Sequence, residues 1–161
     1  AARRALGELR EQIDAAADAV REVAHGLSPR ILSEQGLGPA LEELAAGLPV
    51  ETEVNWAGRT GAGAPSLSDE AAENLYLIAS EAITNAMKHS GCSRIEVDAA
   101  PRDGVVQLTV RDDGAGGAAP TGRGVLSMAA RARRLGGTFE LVSPDGGPTT
   151  VTVRIPSGGP R

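Results

Sequence analysis

In the middle of the chain, a segment that predicts a helix is followed directly by two segments that alternate apolar and polar residues, as strands do. Ser68 is a good N-cap, and acidic residues follow it in the first turn. An apolar stripe and a closing Gly91 predict a helix over 69–89. Residues 94–100 and 104–111 alternate around an Asp-Gly turn, which predicts a β-hairpin. This order favours folds in which helices pack on a sheet.

The other segments extend the alternation of helices and strands. They are a long helix before Pro29, a short helix after Gly38, a strand at 49–56, a loop at 57–66, a Gly-rich stretch at 113–124, a helix at 124–135 and a hairpin of 138–143 with 149–155. The apolar seam of residues 6–27 favours packing in a helical bundle, although a helix lying on its own domain has a similar pattern. The predicted fold is α+β, with a mixed sheet, helices on one face and a long helix in front.

Charge and composition limit the function. The 161 residues carry a net charge of −5, so a basic groove for nucleic acid is not expected. A polyanionic ligand would have to be attracted locally, by backbone N–H groups, a helix N-terminus, a metal or a few placed cations. Cys92 is the only cysteine, and the sequence has neither a long apolar run nor a signal-peptide pattern. The chain starts in mid-pattern, and we expect it to be a piece of a larger protein.

The first group of candidate site residues lies in the predicted helix at 69–89. Glu81, Asn85 and His89 are spaced four apart and so share one helix face. The amide oxygen of Asn85 suits Mg²⁺, and Glu81 can orient a nucleophile or polarise a metal-bound water. The alternative is that Glu81 and Lys88 are simply solvated and that Asn85 makes a hydrogen bond between the helix and a loop.

The second group follows the strand at 104–111. Asp112 can accept a hydrogen bond from an exocyclic amine, and Gly114 and Gly116 let the backbone approach a flat ring or a phosphate. Asp-Gly turns after strands are common, so this group alone is not specific. Neither G-x-G-x-x-G nor G-x-x-x-x-G-K-[ST] occurs in the sequence, which argues against Rossmann and P-loop sites.

The third group is Gly122 and Gly124, where a glycine turn enters the predicted helix at 124–135. Free N–H groups and the helix dipole attract a phosphate at such a position. A flexible loop before an ordinary helix has the same pattern, so both interpretations are open.

Taken together, the order and spacing of the three groups resemble the GHKL ATPases, the superfamily of histidine kinases, DNA gyrase B, Hsp90 and MutL. The similar segments are 81–88 with its N box, 112–116 with its G1 box and 122–124 with its G2 box. The resemblance covers residues 50–156. Within the superfamily, residues 80–90 and 124–131 look like sensor histidine kinases of the nitrate-sensor-like subfamily.

The resemblance implies a Bergerat-type α/β sandwich at 49–161, preceded at 1–48 by the end of the dimerisation and phosphotransfer helices and a linker. It implies that the domain binds ATP and Mg²⁺ and passes the γ-phosphoryl group to a histidine on an upstream helix. The expected partners of the parent kinase are a second copy and a response regulator. We expect it to act in the cytoplasm, with a membrane anchor elsewhere in the parent protein left open.

The resemblance also implies roles for individual residues. Glu81 would assist the phosphoacceptor near the γ-phosphate, and Asn85 would coordinate Mg²⁺. The remaining nucleotide contacts would be Asp112 at the adenine amine, Gly114 and Gly116 around it, Thr149 at the adenine end through water, and Lys88, His89, Gly122 and Gly124 at the phosphates. The chain departs from the family at Pro148, where a Gly is usual, and at Gly117, where a bulky residue is common.

The phosphoacceptor box of the family, His-Asp followed by Gln, is absent. His25 is not followed by an acidic residue, so we expect the acceptor upstream and a fragment that binds ATP without autophosphorylating. Two alternatives remain. An anti-sigma-factor-like serine kinase or other GHKL switch would use the same pocket, although the seam in residues 6–27 argues against it. A dimerisation module with a vestigial pocket is the other, against which the intact Asn85 and Asp112 argue.

Overall fold

The computed structural model describes residues 28–57 and 67–157. Its elements are α1 Ser28–Gln35, α2 Leu37–Ala46, β1 Glu51–Trp56, α3 Asp69–Asn85, β2 Arg94–Arg102, β3 Val105–Asp112, α4 Arg123–Arg134, β4 Thr138–Val142 and β5 Thr149–Pro156. A π-helical turn, Ala86–Ser90, continues α3. The predicted long helix before Pro29 and most of the predicted loop at 57–66 lie outside the described residues. Within the described part, no helix has the length and apolar character needed to cross a membrane.

The five strands form one mixed sheet in the order β1-β2-β3-β5-β4, in which only β1 and β2 pair in parallel. One face of the three central strands is buried, through Ile95, Val97, Ala99, Val106, Leu108, Val110, Val151, Val153 and Ile155. The opposite face exposes charged residues such as Asp98, Arg111 and Arg154. Helices α3 and α4 bury apolar residues in the same core as the apolar face, so the predicted α+β fold with helices on one face is confirmed.

Helix α3 forms where the sequence predicts it. The Ser68 hydroxyl oxygen accepts from the N–H of Ala71 at 3.2 Å, as an N-cap does, and Gly91 closes the segment with φ of 63°. The predicted helix over 69–89 is confirmed, and its last turn, from Ala86, is π-helical. There the Ser90 hydroxyl donates to the Ala86 carbonyl at 2.7 Å and competes with the regular backbone hydrogen bond.

Two predicted boundaries differ from the structure. The Asp-Gly hairpin is present, but Pro101 lies inside β2 and the turn has only Asp103 and Gly104, both with positive φ as a type I′ turn requires. Helix α1 begins at Ser28 and contains Pro29, although no helix was predicted between Pro29 and Gly38. The long helix predicted before Pro29 lies outside the described residues. Proline is tolerated in a first turn because the N–H that it lacks would have no intrahelical partner.

Helix α2 shares the core of the sheet and α3. Leu37, Leu41 and Leu44 are buried in that core. Gly38 lies against the indole of Trp56 at the end of β1, and a Cβ at this position would overlap the ring. The division of the chain between residues 48 and 49 stays a prediction, while α2 packs directly on the predicted second domain.

Candidate nucleotide site

A cleft of about 780 Å³ opens between α3, α4 and the adjoining ends of β3 and β5. Its volume lies in the range of small-molecule and cofactor sites. The predicted site residues that line it are Glu81, Asn85, His89, Asp112, Gly116, Gly122, Gly124 and Thr149. Two further predicted residues, Lys88 and Gly114, are not part of its wall.

One end of the cleft is the contact between the start of α4 and the polar face of α3. A Cβ at Gly124 would overlap the Glu81 carboxylate and lie 3.2 Å from Nδ2 of Asn85. Only a residue without a side chain allows the backbone of α4 to come this close. The structure therefore brings together the first and third groups of residues from the sequence.

The N-terminus of α4 provides positive potential at this end. Residues 122–125 line the cleft, and no side chain caps the helix at Gly122. The first N–H groups of a helix have no intrahelical partners, and the helix dipole is positive there. Arg123, which the sequence analysis did not select, adds a cation to the cleft wall. A chain of net charge −5 thus offers a local site for an anion.

Asp112 defines the other end of the cleft. It is the last residue of β3 and is buried, with 5% of its surface exposed. Its Oδ1 accepts from the N–H of Gly114 at 2.9 Å. Thr149, the first residue of β5, lies directly opposite it in the antiparallel pairing of the two strands. Asp112 and Thr149 are therefore paired residues at the same end of two neighbouring strands.

Gly114 does not line the cleft but packs against Ser90. A Cβ on it would overlap the Ser90 side chain, and the next residue, Ala115, donates its N–H to the Ser90 carbonyl at 2.9 Å. The loop after β3 therefore packs on the π-helical turn. This contact was not predicted, because Ser90 carries no signal in a sequence read as a regular helix.

Gly116 lies against the loop between β4 and β5. Its φ is 64°, and a Cβ would overlap the Pro144 carbonyl oxygen and lie 2.5 Å from that of Gly147. The N–H of Gly146 donates to the carbonyl of Ala115 at 2.8 Å. The glycine-rich loop is thus supported by the β4–β5 loop along the cleft.

Ser143 is a residue that the sequence analysis missed. Its hydroxyl oxygen accepts from the N–H of Ala118 at 2.9 Å and lies 2.8 Å from the Thr149 hydroxyl. The carbonyl of Ser143 also accepts from the N–H of Gly117 at 3.4 Å. A single serine at the end of a predicted strand gives no sequence signal for such a position.

Asp113 has a structural function beside the cleft. Its Oδ1 accepts from the N–H groups of Ser93 and Arg94 at 2.8 and 2.9 Å, and its Oδ2 accepts from the Ser93 hydroxyl at 2.6 Å. The Ser93 hydroxyl and these backbone donors lower the pKa of Asp113 from 3.8 to about 2. The carboxylate therefore fixes the start of β2 against the end of β3.

Apolar side chains complete the cleft between its two polar ends. They are Val110, Val125, Met128, Leu141 and Val151. Met128 is buried in the core, so this wall is continuous with the packed interior. A cleft with an apolar wall, a buried carboxylate at one end and helix N–H groups at the other suits a flat ring joined to an anionic group.

Comparisons with known proteins agree with this geometry. Residues 70–159, more than half of the chain, match the family model of histidine kinase-, DNA gyrase B-, and HSP90-like ATPases. The sensor histidine kinase MctS of Rhizobium johnstonii is 32% identical over 162 residues, which cover 94% of this chain and 34% of MctS. The nitrate/nitrite sensor protein NarX of Escherichia coli is 34% identical over 161 residues, which cover 94% of this chain and 26% of NarX.

The chain spans about a third or less of the length of these relatives. Among solved structures, the histidine kinase domain of a blue-light activated histidine kinase from Erythrobacter litoralis superposes with a TM-score of 0.61 at 22% identity, covering 75% of this chain and 65% of that one. This likeness shows a shared fold. The chain therefore belongs to the histidine kinase-, DNA gyrase B- and HSP90-like ATPase family, and it resembles the corresponding domain of sensor histidine kinases of the nitrate-sensor-like group.

Proposed function

We propose that the cleft binds ATP with Mg²⁺, and that the longer protein transfers the γ-phosphoryl group to a histidine on an upstream helix. The observation that carries this proposal is the contact of Gly124, at the start of α4, with Glu81 and Asn85, at one end of a cleft whose other end holds the buried Asp112. The first end suits phosphates and the second end suits a base.

At the base end, Asp112 is proposed to accept a hydrogen bond from the exocyclic amine of adenine. Gly114 uses one of the two carboxylate oxygens. The apolar side chains of Val110, Met128 and Val151 offer surface for the ring. The Thr149 hydroxyl would hold the ring through a water. Gly116, which has no side chain, would let the glycine-rich loop lie close to the ring.

At the phosphate end, the donors of this chain fit a magnesium nucleotide. Among the described residues, no three His, Cys, Asp or Glu side chains are grouped so that they could hold a metal ion. Mg²⁺ commonly binds through one or two protein ligands, with substrate phosphates and waters as the others. Asn85 would hold it through its amide oxygen, and the ion would neutralise charge on the phosphates. His89, Gly122 and Gly124 would contact the phosphates, and Lys88 would reach them from outside the cleft wall.

Phosphoryl transfer needs positioning and charge stabilisation more than covalent participation of the protein. An imidazole nitrogen of the acceptor would form the new bond to phosphorus as the bond to the β-phosphate oxygen breaks and ADP leaves. Glu81 lines the cleft beside the start of α4. It would accept a hydrogen bond from the other imidazole nitrogen and so orient the ring. The parent kinase would act as a homodimer in the cytoplasm and pass the phosphoryl group to a response regulator.

The test uses the longer native protein with its upstream helix and radiolabelled ATP. Glu81→Gln should bind ATP as the parent does but transfer the phosphoryl group about 100-fold more slowly. Glu73→Gln, on an exposed position of the same helix, is the matched control and should transfer normally. The label should be acid-labile, as phosphohistidine is. Acid-stable label on a serine would contradict histidine transfer and favour the serine-kinase alternative.

A further inference from the structure

Ser143 connects two parts of the site that are far apart in sequence. The lid, defined here as residues 117–122, follows the glycine-rich loop and leads into α4. Ser143 accepts the lid N–H of Ala118 at 2.9 Å, and the same hydroxyl lies 2.8 Å from that of Thr149. Thr149 lines the cleft opposite Asp112. One serine hydroxyl thus lies between the lid backbone and the base end.

We propose that Ser143 is a positioning residue that couples occupancy of the base end to the order of the lid. The coupling runs through a chain of hydrogen bonds from the N–H of Ala118 to the hydroxyl of Ser143 and on to the hydroxyl of Thr149. This inference rests on the proposed function, because it needs a nucleotide in the cleft.

Each hydroxyl has a single hydrogen, so the hydrogen bond between Ser143 and Thr149 has two possible donor arrangements. If Ser143 donates to Thr149, the hydrogen of Thr149 is left for an acceptor in the cleft, such as a ring nitrogen or a water bound to it. If Thr149 donates to Ser143 instead, the Ser143 oxygen receives two donors and the bond to Ala118 is weaker. A bound base supplies the acceptor that selects the first arrangement, and hydrogen bonds aligned in one direction polarise and strengthen one another.

The hydrogen bond from Ala118 to Ser143 holds the lid at the point where the other backbone contacts of the loop end. Just before the lid, Gly116 is held against the Pro144 carbonyl, and Ala115 accepts from the N–H of Gly146. The loop is therefore fixed up to residue 116 by the β4–β5 loop. Beyond that point, Ser143 provides the contacts to Gly117 and Ala118.

The test measures amide hydrogen exchange at Ala118 by NMR in the 161-residue chain, without ATP and at ATP concentrations that saturate each variant. In the wild type, ATP should slow exchange at Ala118 by about tenfold, as expected for strengthening by about 1.4 kcal/mol. Ser143→Ala should abolish this slowing, and Ser143→Thr, which keeps the hydroxyl, should restore it. Thr149→Val should also abolish it, because it removes the hydroxyl to which Ser143 donates. Thr152→Val is the matched control on the open face of β5 and should behave as the wild type does.

Calorimetric titration of the same variants with ATP and Mg²⁺ separates the two proposals. Ser143→Ala and Thr149→Val should each weaken binding roughly three- to tenfold. The double variant should bind ATP little more weakly than either single variant, since both substitutions break the same series of hydrogen bonds. If the wild type binds ATP but Thr149→Val keeps the full slowing at Ala118, the coupling is wrong and the proposed function stands. If the wild type does not bind ATP at all, both fall.

Discussion

Gly114 and Gly124 belong to neighbouring glycine motifs, yet their surroundings give them different functions. Gly114 lets the loop after β3 pack on Ser90, away from the cleft wall. Gly124 lets the start of α4 approach Glu81 and Asn85. Substitution at the first position should therefore affect packing, and substitution at the second should affect the ligand directly.

Gly124→Ala is expected to weaken ATP binding about tenfold, because its Cβ would displace the Glu81 carboxylate and crowd the Asn85 amide. Titration calorimetry with ATP and Mg²⁺ measures the change. Gly47→Ala is the matched control, since its Cβ would lie at an ordinary 3.7 Å from the Leu44 carbonyl, outside the cleft. Equal ATP affinity of Gly124→Ala and the wild type would contradict the assignment of this contact to the phosphate end.

Asp113 should make stability depend on pH in the acid range. The pKa of Asp113 in the folded chain is about 2, below its ordinary value of 3.8, so its contribution to stability is fully present above pH 3.8 and is lost as the pH falls toward 2. The thermal midpoint of Asp113→Asn should therefore lie below that of the wild type at neutral pH, and the gap should close as the pH falls through this window. Asp98→Asn, at an exposed position on β2, is the control. A gap that stays constant from neutral pH down to 2 would contradict the role of Asp113.

Some site residues could be predicted from the sequence and others could not. Asn85 and Asp112 stand in local motifs whose spacing indicates a helix face and a strand end, and the structure puts both in one cleft. Ser143 and Arg123 line or support the same cleft, but their positions depend on contacts between segments that only the folded chain brings together. Their residue types carry no local signal.

At the scale of elements, α3 and α4 are joined away from the cleft by a buried amide. Asn74 is 1% exposed, and its Oδ1 accepts from Arg131 at 3.2 Å and from Arg134 at 2.8 Å. Its Nδ2 donates to the Glu70 carbonyl at 2.8 Å. The two arginines belong to the last turns of α4, whose first turn lines the cleft. The orientation of α4 is thus fixed near both of its ends.

Asn74→Ala should lower the free energy of unfolding by about 2 kcal/mol, because it removes three hydrogen bonds, two of them from charged donors, at a buried position. Urea unfolding followed by circular dichroism measures this. Glu73→Ala, on the exposed side of the same turn, should change the value by no more than about 0.5 kcal/mol. An Asn74→Ala effect as small as that of the control would show that the amide does not hold the two helices.

Boundaries of elements were predicted best where a local stop signal exists. Ser68 and Gly91 limit the helical segment of α3 as expected, because capping is local chemistry. The π-helical turn and the helix that contains Pro29 were not predicted. Both depend on the balance between backbone hydrogen bonds and packing, which spacing alone does not reveal.

At the scale of the whole molecule, the sheet order determines the site. Strand β5 lies between β3 and β4, and the register of its pairing with β3 sets Thr149 opposite Asp112. The sequence predicted the class of fold from alternation and turn residues. It gave no basis for the parallel pairing of β1 with β2 or for this register, since strand pairing depends on contacts distant in sequence.

The net charge of the whole chain has the same sign as its proposed ligand. A net charge of −5 repels a nucleotide at long range, so binding must come from the short-range donors at the start of α4, from Arg123 and from Mg²⁺. Long-range repulsion is screened by salt, whereas contacts within the cleft are screened much less.

The central claim is that one cleft holds the base at Asp112 and the phosphates at α4. Titration calorimetry of Asp112→Asn with ATP and with inosine triphosphate, both with Mg²⁺, tests it most directly. The variant keeps an oxygen for the Gly114 N–H but presents an amide donor to the base, so ATP should bind at least about tenfold more weakly, and inosine triphosphate, with a carbonyl in place of the amine, should lose less. Equal affinity of the wild type and Asp112→Asn for ATP would contradict the account.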